Sequence, residues 1–175
     1  GNGHWVLKKD ALPAATDNIP KGQRPNMYDN SLKVPTAIRW PGVTTPGSTI
    51  STCVTQLDWF PTMISIAKAN PPRGNVLRGR NLQPLLTGTA TDWNEEVFAQ
   101  YSTKHQSKTH MRCLRTPEWK LVRDFLNPER DELFHLKTDP EETTNVIADT
   151  ANKPVVDQLH AKLLKRMEEI HDPQG

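Results

Sequence analysis

The chain has 175 residues, with 22 basic side chains against 20 acidic ones and a formal charge of +2. That balance excludes the basic excess of a dedicated nucleic-acid or anionic-membrane binder, and the length suits one domain with a real core or part of a larger one. No apolar run approaches the roughly 20 residues that span a bilayer, and the opening GNGHWVLKKD lacks the apolar core of a signal peptide, so the start reads as internal to a longer protein.

Residues 1–26 are punctuated by Gly and Pro and show no sustained periodicity, so they read as loop. His4 and Trp5 stand in its most distinctive piece, GNGHW, where they either line a substrate entrance or pack the loop onto the domain. The first regular signal follows in residues 24–42, RPNMYDNSLKVPTAIRWPG. There Leu32, Val34, Ile38 and Trp40 alternate with polar or small residues at the period of a strand face. Pro35 cannot donate to a ladder, so pairing is expected over residues 36–40, up to the Pro41-Gly42 turn.

Beyond the Pro46-Gly47 turn a second strand is expected over residues 50–57. Asp58 then serves as a helix N-cap, with Pro61 harmless in the first turn, and the helix runs to about Ala69. Phe60, Met63, Ile64 and Ala67 share one face of it at spacings of three and four. Residues 70–79 form a loop, followed by RGRNLQPLLTG.

From Glu96 the texture changes to short strands: EVFAQYS, then MRCLRT and WKLVRDF around the Pro117-Glu118 turn, then ELFHL. An antiparallel meander follows, each strand with one face to bury and one to wet. Asp139 is placed to cap a turn begun by Pro140, with Glu141 and Glu142 near its positive end. A helix over about residues 153–171 closes the chain. Its Val156, Leu159, Leu163, Met167 and Ile170 would contribute on the order of 1.5 to 3 kcal/mol each, gross, by packing across the meander.

Between the first two meander strands, STKHQSKTHMR gathers Lys104, His105, Lys108, His110 and Arg112. A basic loop of this kind suits an anionic substrate, and solvated surface is the alternative. His105 and His110 stand five apart, on neither one helical turn nor one strand face, which argues against a metal pair. Cys53 and Cys113 show no zinc spacing and cannot make a disulfide framework for this length. No phosphate loop or nucleophile-elbow pattern is present.

Several of these blocks resemble the formylglycine-dependent sulfatases, of the alkaline phosphatase superfamily, in order and over nearly the whole chain. NMYDNSLKVPTAIRWPG resembles the segment after that family's active-site lysine. LDWFPTMISIAKA resembles its Val-Asp-Leu-x-Pro-Thr-Leu-Leu block, RGRNLQPLLTG its Gly-x-Ser/Asn-Leu-x-Pro-Leu-Leu-x-Gly, and LFHLKTDPEETTNVI its Leu-Tyr-Asp-Leu-x-x-Asp-Pro-x-Glu block. The resemblance implies an α/β fold: residues 1–95 from the end of the large sulfatase domain, and residues 96–175 as a small four-stranded antiparallel sheet packed by a C-terminal helix.

It further implies sulfate-ester hydrolysis by a longer protein, with formylglycine and calcium supplied upstream of this chain. Neither CVTQL nor CLRTP matches the Cys/Ser-x-Pro-x-Arg context that formylglycine formation needs, so no catalytic or metal residue is assigned here and the chain alone is expected to be inactive. The sulfate-contacting lysine falls just before Gly1, or is Lys8, Lys9 or Arg24 in other alignments. His4, Lys104, His105 and His110 are the candidate substrate-binding residues. Implied partners are a sulfated small molecule or glycan and the N-terminal half of the same protein, in a periplasmic or secreted location. Two other readings stand beside this one: a non-catalytic module that holds sulfated glycans, and part of a related phosphodiesterase or phosphonate hydrolase.

Overall fold

The computed structural model describes residues 25–104 and 108–173, so His4 and His105 lie outside the described residues. Two compact units emerge. Described residues up to Val34 cluster with those from Glu96 onward, and Pro35–Glu95 form the second unit. Residues 25–34, expected to belong with the chain up to 95, therefore pack with the C-terminal sheet.

That sheet is a meander in the order β1-β2-β3-β4: β1 (Val97–Lys104), β2 (Lys108–Arg115), β3 (Trp119–Asp124) and β4 (Glu132–His135). All three pairings are antiparallel. Directly opposed residues share a face, so the register Leu114↔Leu121↔Leu133 lines up one apolar row, and Cys113↔Val122 belongs to the other face. The closing helix, α4 (Lys153–Glu169), lays Leu159, Leu163 and Met167 on the first row. Its four-residue spacing is the reason: positions 159, 163 and 167 fall on one stripe, and all three are buried.

The second face was expected to be wet and is not. Met27 packs on Met111, Cys113 and Val122, with Ala99 and Tyr101 at the margin. Tyr28 meets Phe134 edge-on at 5.9 Å between ring centroids. The segment around the short helix α1 (Asp29–Leu32) thus covers the sheet on the side away from α4. Because of that cover, Lys120 of β3 is fully buried rather than solvated.

The second unit holds α2 (Trp59–Ile66) and α3 (Gln83–Leu86). Helix α2 starts where the Asp58-Pro61 pattern places it, and a polar network ties it down. The Asp58 carboxylate accepts from Thr55 N at 2.8 Å and Arg80 N at 2.7 Å, while the Thr62 hydroxyl donates to Asp58 O at 2.6 Å and accepts from Leu82 N at 2.8 Å. Gly79 is required here, since a Cβ would stand 1.9 Å from the Leu57 carbonyl oxygen.

Two expectations fail in this unit. Residues 36–40 and 50–57 form no ladder among the described residues. Their apolar alternation needs a neighbouring strand to become a strand, and none of the described residues supplies one. The α2 face of Phe60 and Met63 is likewise uncovered: Leu57, Phe60, Met63 and Ile66 form an exposed stripe at spacing three, and the buried residue is Thr62.

Candidate substrate site at the end of the β1–β2 hairpin

The stretch expected as a basic loop is mostly strand. Lys104 pairs with Lys108, Thr103 with Thr109, Ser102 with His110 and Gln100 with Arg112. Positions 108, 110 and 112 alternate along β2 and so fall on one face of the sheet, the face of Leu114, and what separates their side chains is the partners each finds there. Lys104 ends β1, Lys108 opens β2, and residues 105–107 between them lie outside the described residues.

His110 is held by its backbone and offered by its ring. Its N–H donates to Asp124 Oδ1 at 3.0 Å and its carbonyl accepts from Phe125 N at 3.1 Å. The ring Nδ1 lies 3.2 Å from the Ser102 hydroxyl, in an exposed contact on the α4 side of the sheet. Such a pair combines a donor-acceptor hydroxyl with an imidazole that can donate through one ring nitrogen and accept through the other, a suitable set for hydroxyl or sulfate oxygens of a sugar.

Arg112 is withdrawn from that surface. It is 3% exposed, and its Nε and Nη2 donate to Asp172 Oδ2 and Oδ1 at 2.6 and 2.8 Å, with Nη1 reaching Ser102 Oγ at 3.0 Å. The bidentate geometry consumes the charge that the sequence seemed to offer to a ligand. It also places the Ser102 hydroxyl between Arg112 and His110, fixing the exposed pair from below.

Asp124 is the main organiser of this end that sequence reasoning missed. Its buried carboxylate accepts from the Thr109 hydroxyl at 2.5 Å, Asn127 Nδ2 at 2.9 Å, and the N–H groups of His110 and Leu126 at 3.0 and 3.1 Å. The only available signal was an acid at the end of a strand just before a turn, and that pattern is too common to single it out. His135, by contrast, packs as its position in the meander suggested, 4.3 Å from the Trp119 ring, with Nδ1 2.6 Å from Thr138 Oγ1 and Nε2 3.2 Å from Glu118.

Among the described residues no group of three or more His, Cys, Asp or Glu side chains is placed to hold a metal ion. Cys113 sits in the sheet core, where burial pushes its thiol up to about 12, and it lacks the sequence context for oxidation. Cys53 is held through its backbone by Glu95 and Trp93. The described residues thus do not fit calcium or formylglycine.

A family model described as N-sulphoglucosamine sulphohydrolase, C-terminal, matches residues 23–169. The chain belongs to this family. Among curated relatives, the sulfatase YidJ of Escherichia coli is 30% identical over 177 residues, covering 97% of this chain and 33% of its own length. The N-acetylglucosamine-6-O-sulfatase of Bacteroides thetaiotaomicron is 29% identical over 126 residues, covering 69% of this chain and 22% of its own. A solved protein in complex with its substrate D-glucosamine-2-N,6-O-disulfate superposes with a TM-score of 0.68 at 24% identity, over 78% of this chain and 28% of that one.

The chain spans about a third or less of the length of these relatives, and the solved protein shares its fold over the superposed residues. The sulfatase blocks quoted above fall largely inside the matched range. Among the described residues no helix is long and apolar enough to cross a membrane.

Proposed function

We propose that this chain is the C-terminal part of an exported enzyme that hydrolyses sulfate monoesters of glucosamine-containing glycans. The observation that carries the reading is the family match over residues 23–169, joined to a chain that contains no candidate nucleophile. Formylglycine and calcium would come from the polypeptide upstream, along with the sulfate-contacting lysine. Residues 35–95 would complete the large domain, and the uncovered stripe of Leu57, Phe60, Met63 and Ile66 is surface suited to burial against the rest of it.

The part left to this chain is choice of ester. Ser102 and His110 present a hydrogen-bonding pair two positions along β1 from Lys104, and His105 and His4, both outside the described residues, are taken as further contacts to the organic moiety. Glycan-6-O-sulfate is favoured over simple aryl sulfate because such a pair recognises sugar hydroxyls and offers no aromatic platform.

Sulfate release by the natural gene product that contains this chain tests the proposal, with N-acetylglucosamine-6-sulfate and 4-nitrophenyl sulfate as substrates and with His110→Ala beside the unchanged protein. Loss of activity on the sugar sulfate with the aryl sulfate spared supports His110 as a selector. Equal loss on both removes it from that role. Sulfate release by the isolated 175 residues would overturn the assignment of catalysis to upstream sequence. Salt-sensitive glycan binding without turnover by the natural product would make it a binding module.

A further inference from the structure

On the sheet face away from α4, four ionisable side chains that the substrate site does not use meet in one buried cluster. Lys120 Nζ donates to Asp29 Oδ1 at 2.7 Å and Glu142 Oε1 at 2.5 Å. The other oxygen of Glu142 accepts the Asp29 backbone N–H at 2.5 Å. Arg115 donates through Nε to both Asp29 oxygens, at 3.3 and 3.2 Å. Two cations face two carboxylates, and no member is left unpaired.

Burial of an ammonium group requires such compensation. Lys120 is 0% exposed, so its two carboxylates are obligatory, and both come from outside the sheet, one from α1 and one from the turn after β4. A second observation points the same way. Glu142 has φ +55, a left-handed conformation that residues with a Cβ adopt reluctantly. A turn needing only that backbone is better served by Gly or Asn. The glutamate side chain is what reaches Lys120 and the Asp29 N–H together.

Further ties hold the same segment. The Tyr28 hydroxyl donates to Glu132 Oε1 at 3.0 Å, and Arg130 Nη2 donates to the Pro25 carbonyl at 2.6 Å. Within residues 25–29, then, the backbone or side chains of three residues are fastened to β3, β4 and the turns that follow them. Lys120 is the central fastening, because it alone joins both carboxylates.

We infer that Lys120 is a positioning residue: through Asp29 and Glu142 it latches residues 25–32 onto the C-terminal sheet and so fixes the chain that leads back to the sulfate-contacting loop. The functional half of this inference rests on the sulfatase reading above. The latch itself rests on geometry alone. Lys120 touches no substrate, and its effect on hydrolysis passes through the placement of the upstream loop.

The test uses the natural gene product with Lys120→Met, the milder Asp29→Asn, which leaves Lys120 one carboxylate, and Leu159→Ala, which loosens the first half of α4, away from the end that Asp172 ties to Arg112. Hydrogen exchange in residues 26–32 and the kinetics of sugar-sulfate hydrolysis are followed together. Exchange there is expected to rise about tenfold or more in the first two variants and not in the third. KM should rise, or kcat/KM fall, on the order of tenfold to a hundredfold in the first two and stay unchanged in Leu159→Ala. Unchanged exchange in residues 26–32 would overturn the latch, and kinetic loss shared equally by Leu159→Ala would overturn the positioning role. If the unchanged protein releases no sulfate, the sulfatase reading fails, and exchange by itself then decides the latch.

Discussion

Arg112 and Asp172 are joined by two parallel hydrogen bonds, Nε to Oδ2 at 2.6 Å and Nη2 to Oδ1 at 2.8 Å, with both side chains buried. The pair ties β2 to the residue that follows α4 by three positions. It therefore fixes where the helix ends on the sheet, as well as the Ser102 hydroxyl that Arg112 also holds.

Removing one member of a buried pair strands the other, a loss that runs to about 3 to 5 kcal/mol. Asp172→Asn or Arg112→Met is expected to destabilise the C-terminal unit by that order, read as a lower midpoint in urea at unchanged slope. The double replacement Arg112→Met, Asp172→Leu should recover much of the loss, because no unpaired charge remains. A shift of under about 0.5 kcal/mol in the single variants would mean that water reaches the pair, since surface pairs carry little.

The Lys120 latch has a pH signature at both ends. Burial raises the Asp29 carboxyl, but the hydrogen bond and charge of Lys120, and then of Arg115, overcome this and leave it below its ordinary value of 3.8. A carboxyl depressed on folding contributes stability above its unfolded pKa and loses it as pH falls through the folded one. Burial lowers the Lys120 ammonium, while Cys113, Glu142 and Asp29 raise it further, above the ordinary 10.5. That contribution is fully present below the unfolded value and is lost as pH rises through the folded one. Exchange protection in residues 26–32 should therefore hold from weakly acid to moderately alkaline pH and fail outside both ordinary ranges. Asp29→Asn should remove the acid-side step. If protection fades near neutrality, the latch is not what protects the segment.

In the other unit the close approach of Gly79 to the turn before α2 makes a separate prediction. A Cβ at this position would lie 1.9 Å from Leu57 O and 2.7 Å from Asp58 N, both backbone atoms that cannot swing aside. Gly79→Ala is expected to cost about 1 to 3 kcal/mol by forcing the backbone apart. It should also break the Arg80 N–H bond to Asp58 that anchors the start of the helix. Fluorescence of Trp59, at the first residue of α2, during denaturation would report it. A midpoint equal to that of the unchanged protein would show that the turn relaxes freely.

Much of the C-terminal unit was legible because its signals are local. The strands β1 to β4 follow from period-two alternation between turn residues, and α4 from a four-residue apolar spacing that needs a long surface to cover. The blocks that resemble sulfatases were readable for the same reason, as runs of contiguous residues. The candidate site was less so. His110 reads as part of a basic loop and stands in β2, while Arg112, two positions on, spends its charge on a carboxylate 60 residues away, and nothing in the intervening sequence marks that pairing.

By itself the sequence determined the order of elements from Glu96 onward, the α4 face that packs, the sulfatase resemblance and the absence of the Cys/Ser-x-Pro-x-Arg block, since each is written within a few neighbouring residues. Only the tertiary structure decided which charges are spent inside and which remain for a ligand. Lys120 reads as a wet-face lysine until residues 25–32 cover that face, and residues 36–40 read as a strand until the lack of a ladder partner leaves them unpaired. The physical reason is common to both. Backbone pairing and the burial of charge depend on what lies across space, and the alternation pattern of a single strand specifies a face without specifying what will meet it.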